Sequence, residues 1–427
     1  MRTAPGSVAT KAPATRPVPR PAAHTKNPTL ARALYALWSG DPAVVVDSPP
    51  GAGKTHLITN LAEQLHRRAG MSVAIAAQTR AQAYDVANRT ARTGAPVTFL
   101  GKVGAMRPTE LEQGVTFAST RSMRPDAGIV VATTARWLVT DPNRWRADVL
   151  LVDEAYQMTW ADFGALGALA RDTGQVALVG DPGQIDPVVV ADTRRWQRWA
   201  SGPQVPAPAA LRAAMGDAVT VLRLPQTWRL GPDTTDLIRA LYDLDFTSAR
   251  PARSVLAPTA LPEYAAHPIT ITSGVADPAL ILTAADLART FATGSATVRT
   301  DDASHPVTPS NIAVIAPHVE QTTLLAAALA DLPDIFVGTI NQAQGLERDV
   351  VIAIHPLAGH PVAEEFATDL GRMCVALSRH RAHLAMVTDD RTPAVLARAL
   401  RDNPDNAAAR AHQTMLARLL DPPPPPP

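Results

Sequence analysis

The chain has 427 residues, 40 Lys+Arg against 39 Asp+Glu for a formal net charge of +1, and one cysteine. The length suggests two or three domains with cores that need no covalent staple. The lone Cys374 excludes an intrachain disulfide framework or a cysteine-based zinc site. The charge balance excludes a globally basic nucleic-acid binder, though not a local basic groove.

In chain order, residues 1–26 are rich in Ala, Pro, Thr and basic residues, and no acid precedes Asp41. This reads as a disordered basic arm with no apolar core of a secretory signal. Short apolar runs then alternate with helical patterns. The candidate strands are Ala43–Asp47, Val73–Ala77, Ile129–Thr133, Val149–Val152 and Val176–Gly180, then Ile312–Ala316, Ile335–Thr339, Val350–Ile354 and Leu384–Thr388. They lack polar alternation, as expected of parallel strands covered on both faces. Between the first two, Leu57, Ile58, Leu61 and Leu65 share a helical face that stops at Gly70. Two clusters of strand–helix alternation predict an α/β protein with two parallel-sheet lobes, divided near Leu222–Leu224 into 27–223 and 224–421. Pro422–Pro427 is a short polyproline tail. Tail and arm either recruit a protein partner or are solvated termini. No apolar run approaches the roughly 20 residues that span a bilayer, so no membrane role is expected. A single thiol favours a reducing, cytoplasmic setting.

The strongest local signal follows the first strand: Ser48-Pro49-Pro50-Gly51-Ala52-Gly53-Lys54-Thr55, then an amphipathic helix. Glycines let backbone N–H groups turn inward around phosphate oxygens, and a helix N-terminus favours an anion. In such a P-loop Lys54 reaches the β/γ phosphates of ATP and the Thr55 hydroxyl binds Mg2+. Lys54 is one of only four lysines, with Lys11, Lys26 and Lys102. The strict pattern has Gly where this chain has Ser48.

Asp153-Glu154 close the strand Val149–Val152. A carboxylate there can hold the same Mg2+, and its neighbour can polarise the attacking water. Asp181-Pro182-Gly183-Gln184 follows Val176–Gly180 at the same sheet edge, where Gln184 is placed to sense the γ-phosphate or the water.

With these residues assembled, the chain resembles superfamily 1 helicases, in particular the 1B-type subgroup that includes the RNA-surveillance helicase of eukaryotic mRNA decay. Pro50–Thr55 looks like motif I, Gln78-Thr79 like motif Ia, Thr133-Thr134 like motif Ic, Asp153–Gln157 like motif II and Gly180–Gln184 like motif III. Gln226-Thr227-Trp228-Arg229 resembles the aromatic-Arg motif, Val314–His318 motif IV, Thr339–Glu347 motif V and Val375–Arg379 motif VI. The resemblance covers roughly residues 40–390 and implies two RecA-like lobes with ATP between them and few accessory insertions. It places Arg229 and Arg379 on the γ-phosphate, His56 and Gly345 beside the nucleotide, Trp228 against the adenine and Glu347 at the ribose. Thr79, Thr133, Thr134, Pro317, Thr339 and Gln342 would face single-stranded DNA or RNA. Hydroxyls, amides and backbone groups position a strand without reading its sequence. Aromatic residues are 4% of the chain, so few base-stacking platforms are expected.

Some features depart from that pattern. No Gln precedes Gln64, although the family carries an adenine-reading Gln upstream of motif I. Asp186 stands where the family tends to have Pro. Gly101–Pro125, with Lys102, Arg107, Arg121 and Arg124, is either a reduced insert touching the strand or a solvated loop. Arg194–Trp199 either clamps a strand or packs Trp196 and Trp199 from one helical face. The functional expectation is an ATP-driven motor on nucleic acid. Beside it stand an ATPase that uses nucleic acid only as activator, and a nucleotide-gated interaction module. The intact Lys54, Asp153, Glu154, Arg229 and Arg379 argue against the last.

Overall fold

The computed structural model describes residues 27–122, 128–251 and 253–424. The basic arm, Arg124 and the last three prolines lie outside the described residues.

Eight strands build the first sheet: β1 (Ala43–Asp47), β2 (Val73–Ala77), β3 (Val97–Gly101), β4 (Val115–Ser119), β5 (Ile129–Thr133), β6 (Ala147–Val152), β7 (Ala170–Gly180) and β8 (Val219–Arg223). Their order is β4-β3-β5-β2-β6-β7-β1-β8, and every pairing is parallel. The sheet is buried on both sides because its strands are apolar at successive residues. Val44 and Val46 pack with Leu57, Ile58 and Leu61 on one face, while Ala43 and Val45 pack with Trp137 and Leu150 on the other.

The second lobe begins with two short paired strands, β9 (Gln226–Thr227) and β10 (Thr247–Ser248). A small antiparallel sheet joins β11 (Arg253–Leu256), β13 (Thr297–Thr300) and β14 (Ser304–Pro306). The main sheet contains β12 (Tyr264–Ile269), β15 (Ile312–Ala316), β16 (Phe336–Thr339), β17 (Arg348–Ile354) and β18 (His380–Asp389). Its order is β12-β18-β17-β15-β16, again all parallel. Val350, Ile352 and Ile354 face one core, Val351 and Ala353 the other. Two doubly covered parallel sheets make an α/β protein of two RecA-like lobes.

All nine expected strands are present, several of them longer than expected. The sequence reading missed β3, β4, β8 and β12, the short pair β9 and β10, and the antiparallel sheet. β3 ends at Gly101 and β4 runs through Val115–Ser119, so a small part of Gly101–Pro125 is sheet and most of its other described residues are turns and loop. The shared helical face of Trp196 and Trp199 does not form. Arg194–Trp196 is a single 3-10 turn, Trp199 is 62% exposed, and Arg195 lies over the Trp196 ring at 4.0 Å. Among the described residues, no helix is long and apolar enough to cross a membrane.

Candidate active site

Because every strand of the first sheet runs the same way, the loops after β1, β6 and β7 meet at one edge. Helix α1 (Pro28–Ser39) precedes β1, and after β1 the chain turns through Pro49–Gly53 into helix α2 (Lys54–Ala69). Gly51 and Gly53 hold φ of 72° and 86°, the left-handed region open to glycine. Gly51 is also forced by contact, since a Cβ there would lie 2.3 Å from the Arg229 Cβ. The aromatic-Arg segment is thus laced to the loop. The Thr227 hydroxyl donates to the Pro50 carbonyl at 2.6 Å, and the Trp228 N–H to that of Gly51 at 2.9 Å. Ser48 is fully buried, and its hydroxyl donates to the Gly180 carbonyl at 2.9 Å, tying this loop to the end of β7.

The Lys54 ammonium lies 3.5 Å from Glu154 and 4.0 Å from Asp181. Asp153 is buried and accepts the Glu154 N–H at 2.9 Å. Burial, then the Glu154 charge, lifts its carboxyl to about 7, against the pull of Lys54. Glu154 is the one non-glycine residue with positive φ (49°) among the described residues. Such a backbone costs energy and is retained where surroundings enforce it. Asp181 is also raised by burial, and it accepts from Gln184 (2.5 Å) and from the Tyr242 hydroxyl of the second lobe (2.9 Å). Gln184 in turn accepts from Gln344 of the second lobe at 3.2 Å.

From the second lobe, Arg229 forms an ion pair with Glu347 and donates to the Ser378 carbonyl at 3.2 Å. Burial favours protonation of Glu347, but Arg229 and Arg381 outweigh it and hold this carboxyl below its usual value. Arg379 is 1% exposed and donates to the Ser378 hydroxyl at 2.8 Å. It makes no ion pair with a carboxylate among the described residues, and its Nε has no hydrogen-bond partner. Burial, then the Arg229 charge, pushes it down to about 10. A buried cation without a paired anion is costly.

A cleft of about 260 Å3 is lined by Gly51, Ala52, Gly53, Lys54, Thr55 and His56, among others, but not by Asp181, Gln184 or Arg379. Asp153, Glu154, Arg229, Gly345 and Glu347 also line it. The glycine-rich loop and Lys54, which line the cleft, fit a nucleoside triphosphate. Thr55 and Asp153 fit Mg2+, which takes one or two protein ligands and keeps much of its water. Pro50 is buried and Trp228 stands 61% exposed, and neither is among the residues that line the cleft. The sequence reading missed Gln82, Asp85 and Arg89 of helix α3 (Arg80–Arg92), which line the cleft without belonging to any motif. It also gave no role to Tyr242, which carries no local signal, or to Asp181, which was visible only as a member of its motif.

The expected strand-contact residues stand at the carboxyl ends of β2, β5, β15 and β16. Thr79 and Gln342 are exposed, Thr133 and Thr339 half-buried, and Thr134 and Pro317 buried. Thr79 and Gln82 cap each other reciprocally at the start of α3, and Thr339 and Gln342 do the same after β16. The Thr133 hydroxyl accepts the Arg136 N–H at 3.2 Å. The Thr134 hydroxyl donates to Gln78 at 3.2 Å.

Two AAA-domain families match the chain, one over residues 28–197 and one over 295–391, together more than half of it. These two stretches of the chain, one in each lobe, are thus similar to AAA domains. Among curated proteins no sequence matches. A solved structure of the arterivirus nonstructural protein 10 helicase aligns over 88% of this chain and 63% of its own, at 16% identity and a TM-score of 0.46. Its complex with DNA aligns over 82% and 61%, at 19% and 0.46. The PRRSV helicase aligns over 83% and 54%, at 17% and 0.43. The chain therefore spans less than two thirds of those proteins' length.

Proposed function

We propose that the chain is an ATP-driven helicase that hydrolyses ATP and moves along single-stranded DNA or RNA with little sequence preference. The observation that carries this reading is Arg379. It is a guanidinium from the second lobe, buried without a carboxylate, within electrostatic reach of Glu154 and Asp181 of the first lobe. A cation supplied across a cleft makes closure of the lobes depend on the phosphate between them.

Lys54 and the Gly51–Gly53 amides hold the phosphates, and Thr55 and Asp153 hold Mg2+. The metal, when bound, neutralises charge developing on the phosphoryl oxygens. Glu154 orients the attacking water. Arg229 exchanges Glu347 for phosphate, and Arg379 meets the γ-phosphoryl group. Gln184 and Tyr242 carry the change to the second lobe. We take 27–223 and 224–421 as the two motor lobes. The 1B-type resemblance supports 5′-to-3′ movement, and the single buried thiol suits a reducing, cytoplasmic setting.

The test is ATP turnover with and without single-stranded DNA and RNA, in wild type and Lys54→Ala. We expect stimulation by at least one polymer and near-complete loss in the variant. Absence of stimulation by either polymer would sink the motor. Turnover surviving in Lys54→Ala would sink the site. A second reading, nucleic-acid-stimulated ATPase without unwinding, is favoured by the lack of a separately folded insert among the described residues of the first lobe. Displacement of a strand from a tailed duplex separates the two.

A further inference from the structure

A second cavity, of about 550 Å3, opens beside the carboxyl ends of β2 and β5. It touches Gln78 and Thr133 and extends over β3, away from the nucleotide cleft. Tyr84, Phe99 and Phe117 form its wall. The Tyr84 and Phe99 rings lie 5.0 Å apart, and Phe99 and Phe117 stack at 6.4 Å and 16°. In a chain with 4% aromatic residues, three rings in one recess are a concentration the sequence did not disclose. Above this wall stand Arg80, Lys102 and Arg136. Arg80 and Lys102 are exposed and form no ion pair with a carboxylate among the described residues. Arg136 donates to the Thr120 hydroxyl at 3.2 Å, and its Nε is buried without a partner. No carboxylate among the described residues lines the cavity.

We infer that this cavity takes one nucleobase of the bound strand, with the flanking phosphates on Arg80, Lys102 and Arg136. The inference rests on the single-strand reading above and names a binding site within it. An inorganic anion would need the cations but not the rings. An apolar ligand would need the rings but not three cations without counter-charges. A nucleotide uses both, because every base has a π-face and every link a phosphate. The cavity also adjoins Thr79 and Thr133, so a strand lying on those ends passes its mouth. Ring walls do not discriminate strongly among bases, so the pocket grips without reading.

The test uses the full chain without nucleotide and a set of single-stranded oligonucleotides carrying one abasic residue at successive positions. Binding is read by anisotropy. In wild type one position should weaken binding about tenfold or more, the usual scale of a lost base–aromatic stack. In Tyr84→Leu the intact strand should bind that much more weakly, and the abasic residue should cost nothing further. Lys102→Glu, on an exposed side chain that cannot disturb the core, should flatten the salt dependence by about 0.7 in log–log slope per lost phosphate contact. A flat abasic series with intact wild-type binding overturns the cavity while leaving the motor standing. Wild type that binds no strand overturns both. A free nucleoside monophosphate that binds as tightly as the strand overturns the assignment to a strand.

Discussion

Arg379 is placed where water does not reach it and no carboxylate among the described residues meets it. That is a poor arrangement for stability and a good one for an anion that comes and goes. Arg379→Ala should therefore bind nucleotide but turn over at least about 10^3-fold more slowly, the scale of a lost arginine finger. Nucleotide titration and single-turnover hydrolysis check the two halves separately. Much of this site was legible residue by residue, because Lys54, Thr55, Asp153 and Glu154 sit in short local patterns whose chemistry is fixed by residue type. Ser48, which breaks the strict loop pattern, proves to have a bond of its own to Gly180. Asp181 and Tyr242 were not legible in the same way. Their partnership spans 61 positions and exists only because two lobes meet. Gln82 was invisible for a different reason, since a glutamine at a helix start is ordinarily only a cap.

At the scale of elements, legibility largely followed coverage, with the edge strand β16 as an exception because Phe336 and Val337 keep its run apolar. β1, β2, β5, β6 and β7 lie inside the first sheet with both faces buried, and their apolar runs declare it. β4 and β8 are its edges, β12 is an edge of the second sheet, and β3 is next to an edge. Half-covered strands keep exposed polar positions such as Thr116 and Arg223, or a strand-disfavouring Pro268, which blur the apolar run. β18 carries an element-scale prediction. Its His383 is buried, donates through Nδ1 to the Pro262 carbonyl at 2.7 Å and packs on Phe291. Burial lowers it from 6.5 to about 4. Between those values the unfolded chain takes up a proton that the native protein refuses. The stability that goes with neutrality is therefore whole above 6.5 and is lost as pH falls through about 4. The size is on the order of 3 kcal/mol. His383→Asn keeps an N–H donor but does not titrate, so its unfolding free energy should fall less between pH 6.5 and 4. Urea unfolding across that window compares the two. Raised carboxylates such as Asp153 act in the opposite sense in both proteins and cancel in the difference.

At the scale of the molecule, the two sheets are alike and their meeting is what matters. Gln184–Gln344, Asp181–Tyr242 and the Arg229 segment laid on Gly51 all cross from one lobe to the other. Cys374 sits on this seam. It is buried, its Sγ lies 3.0 Å from the Tyr242 hydroxyl, and burial pushes its thiol up to about 12. A thiol in that condition is inert to disulfide reagents until the seam parts. Since the chain has no other cysteine, the rate at which an aromatic disulfide consumes one equivalent of thiol counts the openings of the seam. A nonhydrolysable ATP analogue should slow that rate, and Lys54→Ala should abolish the slowing. The protein thus carries a stopwatch for its own motion, readable in a cuvette without any attached label.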